Sequence, residues 1–160
     1  MLARPVSDSK VVMTELVHPS HINALGSIFG GTIMSWVDIA AAICAQRHSK
    51  SHVVTASIDG LDFVQPVYQG WVVNLNASIN YAGRTSMEVG VRVDAENPVT
   101  GEKFHTASAY LTFVALSPVT GKPVEVPQVI AESEVEKRRF EAAINRRAGR
   151  MKARAKTSAS

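Results

Sequence analysis

IFGGTIMSWVDIAAAICA, residues 28–45, is the one membrane-like stretch of the chain, and it carries a single charge, Asp38, near its middle. A central aspartate costs about 2.5–3.5 kcal/mol on insertion scales, and the stretch sits at the short end for a span. It also holds Gly30-Gly31 and three consecutive alanines. The reading is a buried helix inside a globular domain. Ile33, Val37, Ala40, Ala41 and Cys44 recur at helical spacing. The helix is predicted from about 31 to 48, with Arg47 and His48 in the last turn, where positive charge suits the helix dipole.

Working outward, KVVMTELV (10–17) reads as a strand ended by Pro19, and 18–31 reads as a Pro- and Gly-marked loop. Beyond the helix come four segments rich in Val, Thr, Ile and aromatics: 52–67, 71–82, 85–97 and 102–116. Met87, Val89, Val91 and Val93 alternate cleanly with Glu88, Gly90, Arg92 and Asp94. The breaks YQG, AGR and PVTG are short turn sequences, so consecutive segments are predicted to be antiparallel neighbours. A second helix is expected over 131–150, and KARAKTSAS at the end reads as frayed. The predicted fold class is α+β, one apolar helix against a curved antiparallel sheet. A helix with so little polar surface needs cover on most sides, from a wrapping sheet and from a partner subunit.

The 160 residues are 46% hydrophobic and 19% charged, which fits one globular domain with its own core. A single cysteine, Cys44, excludes an internal disulfide framework and fits a reducing compartment. MLARPVSDSK has no apolar run of a secretory signal, so a cytoplasmic protein is expected. The net charge of +3 conceals two unlike parts. Residues 137–160 hold nine Lys or Arg against one acid, Glu141, a net +8. Residues 1–136 hold eight against thirteen, a net −5. The acidic body argues against nucleic-acid binding. The basic end reads as a solvated face, with attraction of CoA phosphates, anionic membranes or RNA as the alternatives.

Asp38 is the only acid between Glu15 and Asp59, and a carboxylate on a buried helix needs a partner or a task. Asn23, Gly26, Gly30 and Gly31 precede the helix start. N–H groups there lack intrahelical acceptors and favour negative charge, so a carbonyl placed at this end would be polarised as in an oxyanion hole. Asp38 and Gly31 are two turns apart, about 10 Å along the axis, far for one reacting carbon. The carboxylate's reach, a water or a second subunit would close that gap. There is no G-x-S-x-G elbow, G-x-G-x-x-G or Walker motif. The five histidines are scattered, which gives no metal site, and Cys44 reads as an inert buried thiol.

Four blocks, 23–42, 53–67, 83–89 and 107–116, keep their order and spacing and resemble the hotdog-fold acyl-CoA thioesterases related to the cytosolic long-chain enzymes. The resemblance implies a curved sheet wrapped round one long helix as a single domain over 1–130, followed by a basic helical tail over 131–160. It implies hydrolysis of a fatty acyl-CoA to free acid and CoA, with no cofactor beyond the CoA of the substrate. By position, Asp38 would be general base or nucleophile. Asn23 would enter from the facing protomer, and the Gly30 and Gly31 amides would polarise the thioester. The block Gly83, Arg84, Thr85 and Ser86 would lie near CoA, and Thr55 would help position substrate. The family usually forms homohexamers, trimers of hotdog dimers. Gln65 and Trp71 depart from the usual Lys and Asp and bear on CoA or chain-length preference. Trp36, Trp71 and the methionines are candidates to line the acyl tunnel. The competing readings are a non-catalytic acyl-CoA sensor and a hydratase; for the latter, His48 stands at the wrong end of the helix.

Overall fold

The computed structural model describes residues 2–159. Its elements are β1 (Ala3–Pro5), β2 (Val11–Leu16), α1 (Gly30–Ser49), β3 (His52–Asp59), β4 (Val72–Ala82), β5 (Ser86–Glu96), β6 (Lys103–Leu116), β7 (Gln128–Ile130) and α2 (Glu134–Ala159). β2, β4, β5, β6 and β3 form one antiparallel sheet in that order, while β1 and β7 pair in parallel as a separate ribbon. The α+β hotdog arrangement expected from the sequence is present.

The inner face of the sheet follows from the period-2 alternation. Leu75, Ile79, Met87, Val89, Leu111 and Phe113 are fully buried and share one core with Ile33, Val37, Ala40, Ala41 and Cys44 of α1. Each such Val, Leu or Ile side chain contributes about 1.5–3 kcal/mol on burial. Alanines at 107, 109 and 115 and at 40, 41 and 45 keep side-chain volume low where strand meets helix. α1 ends at Lys50, which takes φ 54° and donates its N–H to the Gln46 carbonyl.

Cys44 is buried as read, 3.9 Å from Ser9 Oγ, and burial pushes its thiol up to about 11. His48 is also buried, with Nε2 2.8 Å from the Pro127 carbonyl, and burial holds its pKa below the ordinary value. Since Pro127 offers only a carbonyl here, Nε2 carries the proton.

Three expectations need correction. The segment 52–67 is not one strand beside 71–82. β3 stops at Asp59, Gly60 takes φ +70°, and the chain crosses to the other side of the sheet. The turn at 68–70 closes on β2's end instead: Gly70 donates to Val17, and Val17 to Trp71. Among the described residues β3 therefore pairs only with β6 and is an edge strand. The ribbon of β1 and β7 was not foreseen, because three-residue strands leave no period to read.

The C-terminal end, finally, is not frayed. α2 runs to Ala159 and its first half packs on the outer face of the sheet. Glu88, 2% exposed, accepts from Asn80 Nδ2 at 3.0 Å and from Arg146 Nε and Nη2 at 2.9 and 2.8 Å. The Arg146 guanidinium lies 3.6 Å from the Tyr110 ring centroid, and Arg150 reaches Asp59 at 3.0 Å. Removing one partner of such a buried pair costs about 3–5 kcal/mol. Among the described residues, no helix is long and apolar enough to cross a membrane.

Candidate active site

Asp38 sits in the third turn of α1, half-buried, on the side that faces β3. Thr55 is the inward residue of β3 at this level, because it stands opposite buried Phe113 on β6. Its Oγ1 donates to Asp38 Oδ1 at 2.7 Å. That bond takes one carboxylate oxygen and fixes the rotamer. Oδ2 meets no donor among the described residues and is left open for a proton.

The helix start is shaped for close approach. Phe29 is the N-cap and supplies no side-chain bond. Thr32 and Ile33 donate back to its carbonyl at 3.0 and 3.4 Å. Among the described residues, no acceptor meets the N–H of Gly30 or Gly31, so these two amides are the free donors of the helix end. A Cβ at Gly30 would stand 3.0 Å from the edge of the half-exposed Phe63 ring, which would have to shift to admit it. A Cβ at Gly31 would meet nothing within 4 Å, so at that position the space belongs to solvent or a ligand.

Asn23 is held in the loop before the helix. Its Oδ1 accepts from Leu25 N at 2.9 Å and Ser27 N at 3.3 Å, and its Nδ2 donates to Ser27 Oγ at 3.0 Å. Among the described residues it makes no hydrogen bond to Asp38 or to the glycine amides. One protomer thus joins Thr55 to Asp38 and leaves Asn23 and the Gly30–Gly31 amides apart from them.

Gly83–Ser86 is the tight turn of the β4–β5 hairpin, closed by Gly83 N to Ser86 O at 2.8 Å. Gln128 donates to the Gly83 carbonyl, Val126 to that of Arg84, and Ala115 to that of Thr85. Met87, next to this turn, stands opposite Phe113, which stands opposite Thr55. The turn is therefore two strands from the Thr55–Asp38 pair. Arg84 is exposed and makes no ion pair among the described residues.

Trp36 is buried edge-on against His21, and Trp71 packs between Tyr68 and Phe104. The apolar surface for which the sequence asked a partner's cover lies around the site: Phe29, Met34, Ile39, Phe63 and Val64 are 42–64% exposed. Its signal was present in the quoted stretch, which is apolar on every side of the helix, more than one sheet can cover.

Residues 25–102 match the family model described as the thioesterase superfamily. An uncharacterized acyl-CoA thioester hydrolase of Bacillus subtilis is 45% identical over 129 residues, covering 81% of this chain and 74% of that protein. The crystal structure of an apo-hexameric acyl-CoA thioesterase superposes with a TM-score of 0.92 at 43% identity, covering 97% of this chain and 99% of the other. An acyl-CoA hydrolase of Staphylococcus aureus, solved with butyryl-CoA, CoA and CoA disulfide, gives a TM-score of 0.88 at 39% identity over 98% and 94% of the two chains. That hydrolase has also been solved with an aspartate, a threonine or an asparagine replaced by alanine.

Proposed function

The chain belongs to the thioesterase superfamily and is an acyl-CoA thioester hydrolase, and from that premise we propose that it hydrolyses fatty acyl-CoA with Asp38 as general base in a site completed by a second protomer. The observation that carries the reading is the 2.7 Å bond from Thr55 to one oxygen of Asp38, with the other oxygen left open. Water held at Oδ2 gives up its proton to the carboxylate and attacks the thioester carbon. The Gly30 and Gly31 amides, with the dipole of α1 behind them, hold the oxyanion. Collapse of the tetrahedral intermediate releases the CoA thiolate, which takes the proton back from Asp38.

The split between Asp38 and the helix-start amides of one chain supports the two-protomer site. So does the surface around it: β3 leaves one edge unpaired, and exposed Met34, Ile39 and Val54 flank it. Unpaired edges beside apolar surface are templates for pairing with another chain. Asn23 then enters from the facing protomer, with its amide oriented by Ser27. Arg84, Thr85 and Ser86 offer a guanidinium and hydroxyls to the CoA phosphates. The apolar residues between the protomers take the acyl chain. A homohexamer, three such dimers, follows the hexameric relative. A hydrolase of CoA esters with one unpaired, inert cysteine belongs in the cytoplasm. In this reading residues 1–130 are the thioesterase domain and 131–160 its basic helical extension.

A panel of acyl-CoA chain lengths with thiol release as readout tests the assignment. Turnover of fatty acyl-CoA by the wild type, and loss of several orders of magnitude in Asp38→Asn with assembly unchanged, is the expected result. Tight acyl-CoA binding with no thiol release by the wild type would instead make the protein a sensor.

A further inference from the structure

β3 changes face partway along its length. Directly opposite residues of an antiparallel pair point to the same side of the sheet. Val53 and Thr55 stand opposite Ala115 and Phe113, both buried, so they point toward α1. The register then shifts by one residue, and Ser57, Ile58 and Asp59 stand opposite Thr112, Leu111 and Tyr110. Leu111 is buried, so Ile58 points inward while Ser57 and Asp59 point to the outer face. Ala56 is the extra residue of a β-bulge. Without it, the two-residue period of a strand would set Thr55 and Asp59 on one face. The bulge lets β3 offer Thr55 to Asp38 on one side and Asp59 to α2 on the other.

α2 grips the outer side of this bulge. Arg150 donates from Nη1 to Asp59 Oδ2 at 3.0 Å, and the same nitrogen lies 3.5 Å from Glu88 Oε1. Glu88 is fixed in turn by Asn80 and Arg146. Arg150 therefore ties β3 to β5 across the intervening β6. Beside it, Met151 and Arg154 line a cleft of about 120 Å³ with Ala56 and Thr112, so the helix stands over the bulge itself. Among the described residues β3 is paired on one side only, and a slip of one residue would exchange its faces. A slip that turned Thr55 outward would leave Asp38 without its donor. Resting on the site proposed above, we propose that Arg150 is a positioning residue for hydrolysis. By holding Asp59 on the outer face it fixes the bulge, and through the bulge the aim of Thr55 at Asp38.

Two variants remove the pair from opposite ends. Asp59→Ala leaves Arg150 with Glu88, and Arg150→Met keeps an apolar stem on the helix. Each is made alone and together with Thr55→Val. Steady-state thiol release is measured with the acyl-CoA that the wild type turns over fastest, and thermal melts and sedimentation show a folded assembly. Asp59 is 39% exposed at its side chain, so its variant carries the test if Arg150→Met does not fold. A misplacement of about 1 Å can cost about 100-fold, so each single variant is expected to lose about threefold or more in kcat, with KM unchanged. In the Thr55→Val chain the same change is expected to cost nothing further, because the residue it aims is gone. A smaller fall in Asp59→Ala, or an equal fall repeated in the Thr55→Val chain, would overturn the positioning role and leave the pair a structural tie. Thr55→Val as fast as wild type would instead overturn the site reading on which the role rests.

Discussion

Replacing Thr55 with valine removes one hydroxyl and keeps the shape of a β-branched residue suited to an edge strand. The lost interaction is the 2.7 Å bond to Asp38 Oδ1. A hydrogen bond to a charged group is worth about 1.5–3 kcal/mol, and the half-buried position of Asp38 places this one toward the lower part of that range. At about 1.4 kcal/mol per tenfold in rate, kcat should fall roughly 10- to 100-fold. The fall should be in kcat rather than KM, because Thr55 orients the base and the base acts on water rather than on the acyl-CoA. Thr55→Ser keeps an Oγ in reach of Oδ1 and should recover most of the rate. Steady-state thiol release for the three proteins, with thermal melts to show equal stability, is the assay. A valine variant within twofold of wild type, or a serine variant as slow as the valine one, would refute the assignment of Thr55 as the residue that holds the base.

Gly31→Ala should separate stability from activity. The new Cβ has open space, and alanine in place of glycine stabilises a helix by roughly 0.5–1 kcal/mol, so the melting temperature should hold or rise. kcat/KM should nevertheless fall by roughly tenfold or more, because the methyl stands where the thioester must approach the amides. His48 supplies a pH dependence of stability. Its folded pKa lies below the ordinary 6.5, so the unfolded chain binds more protons in that window. The contribution of neutral His48 is complete above about pH 6.5 and is lost as pH falls toward its folded value. His48→Gln keeps a donor for the Pro127 carbonyl without the titration, and melts between about pH 7 and 5 should show a flatter slope.

The helix, the two hairpins β4–β5 and β5–β6, and the inner face of the sheet were legible because each repeats a period long enough to count. Met87 to Val93 is the clearest case. The course of 60–71 was not. A three-residue break such as YQG looks like a hairpin in sequence, and only the tertiary bonds of Gly70 and Val17 show that it serves β2 instead. Glu88 was hidden for a related reason. It occupies a polar position of a strand whose outer face would ordinarily be wet, and its burial is created by Arg146 and Arg150, some sixty residues later. The basic end read as a solvated face because sequence charge does not show which arginines meet a buried acid. Asp38 was legible as an anomaly, one carboxylate in an apolar helix. Its partner Thr55 had no local signal, since the bond depends on the register of β3 against β6.

The central claim, that each active site takes Asp38 from one protomer and Asn23 from the other, is tested most directly by mixing two inactive proteins. Asp38→Asn and Asn23→Ala chains are purified, unfolded together in equal amounts and refolded, and thiol release is compared with that of each parent treated alone. Random pairing makes half the dimers mixed, and each mixed dimer has one site with both native residues, so about a quarter of wild-type activity is predicted. Activity no greater than the average of the two parents, with mixed dimers shown to form, would contradict it.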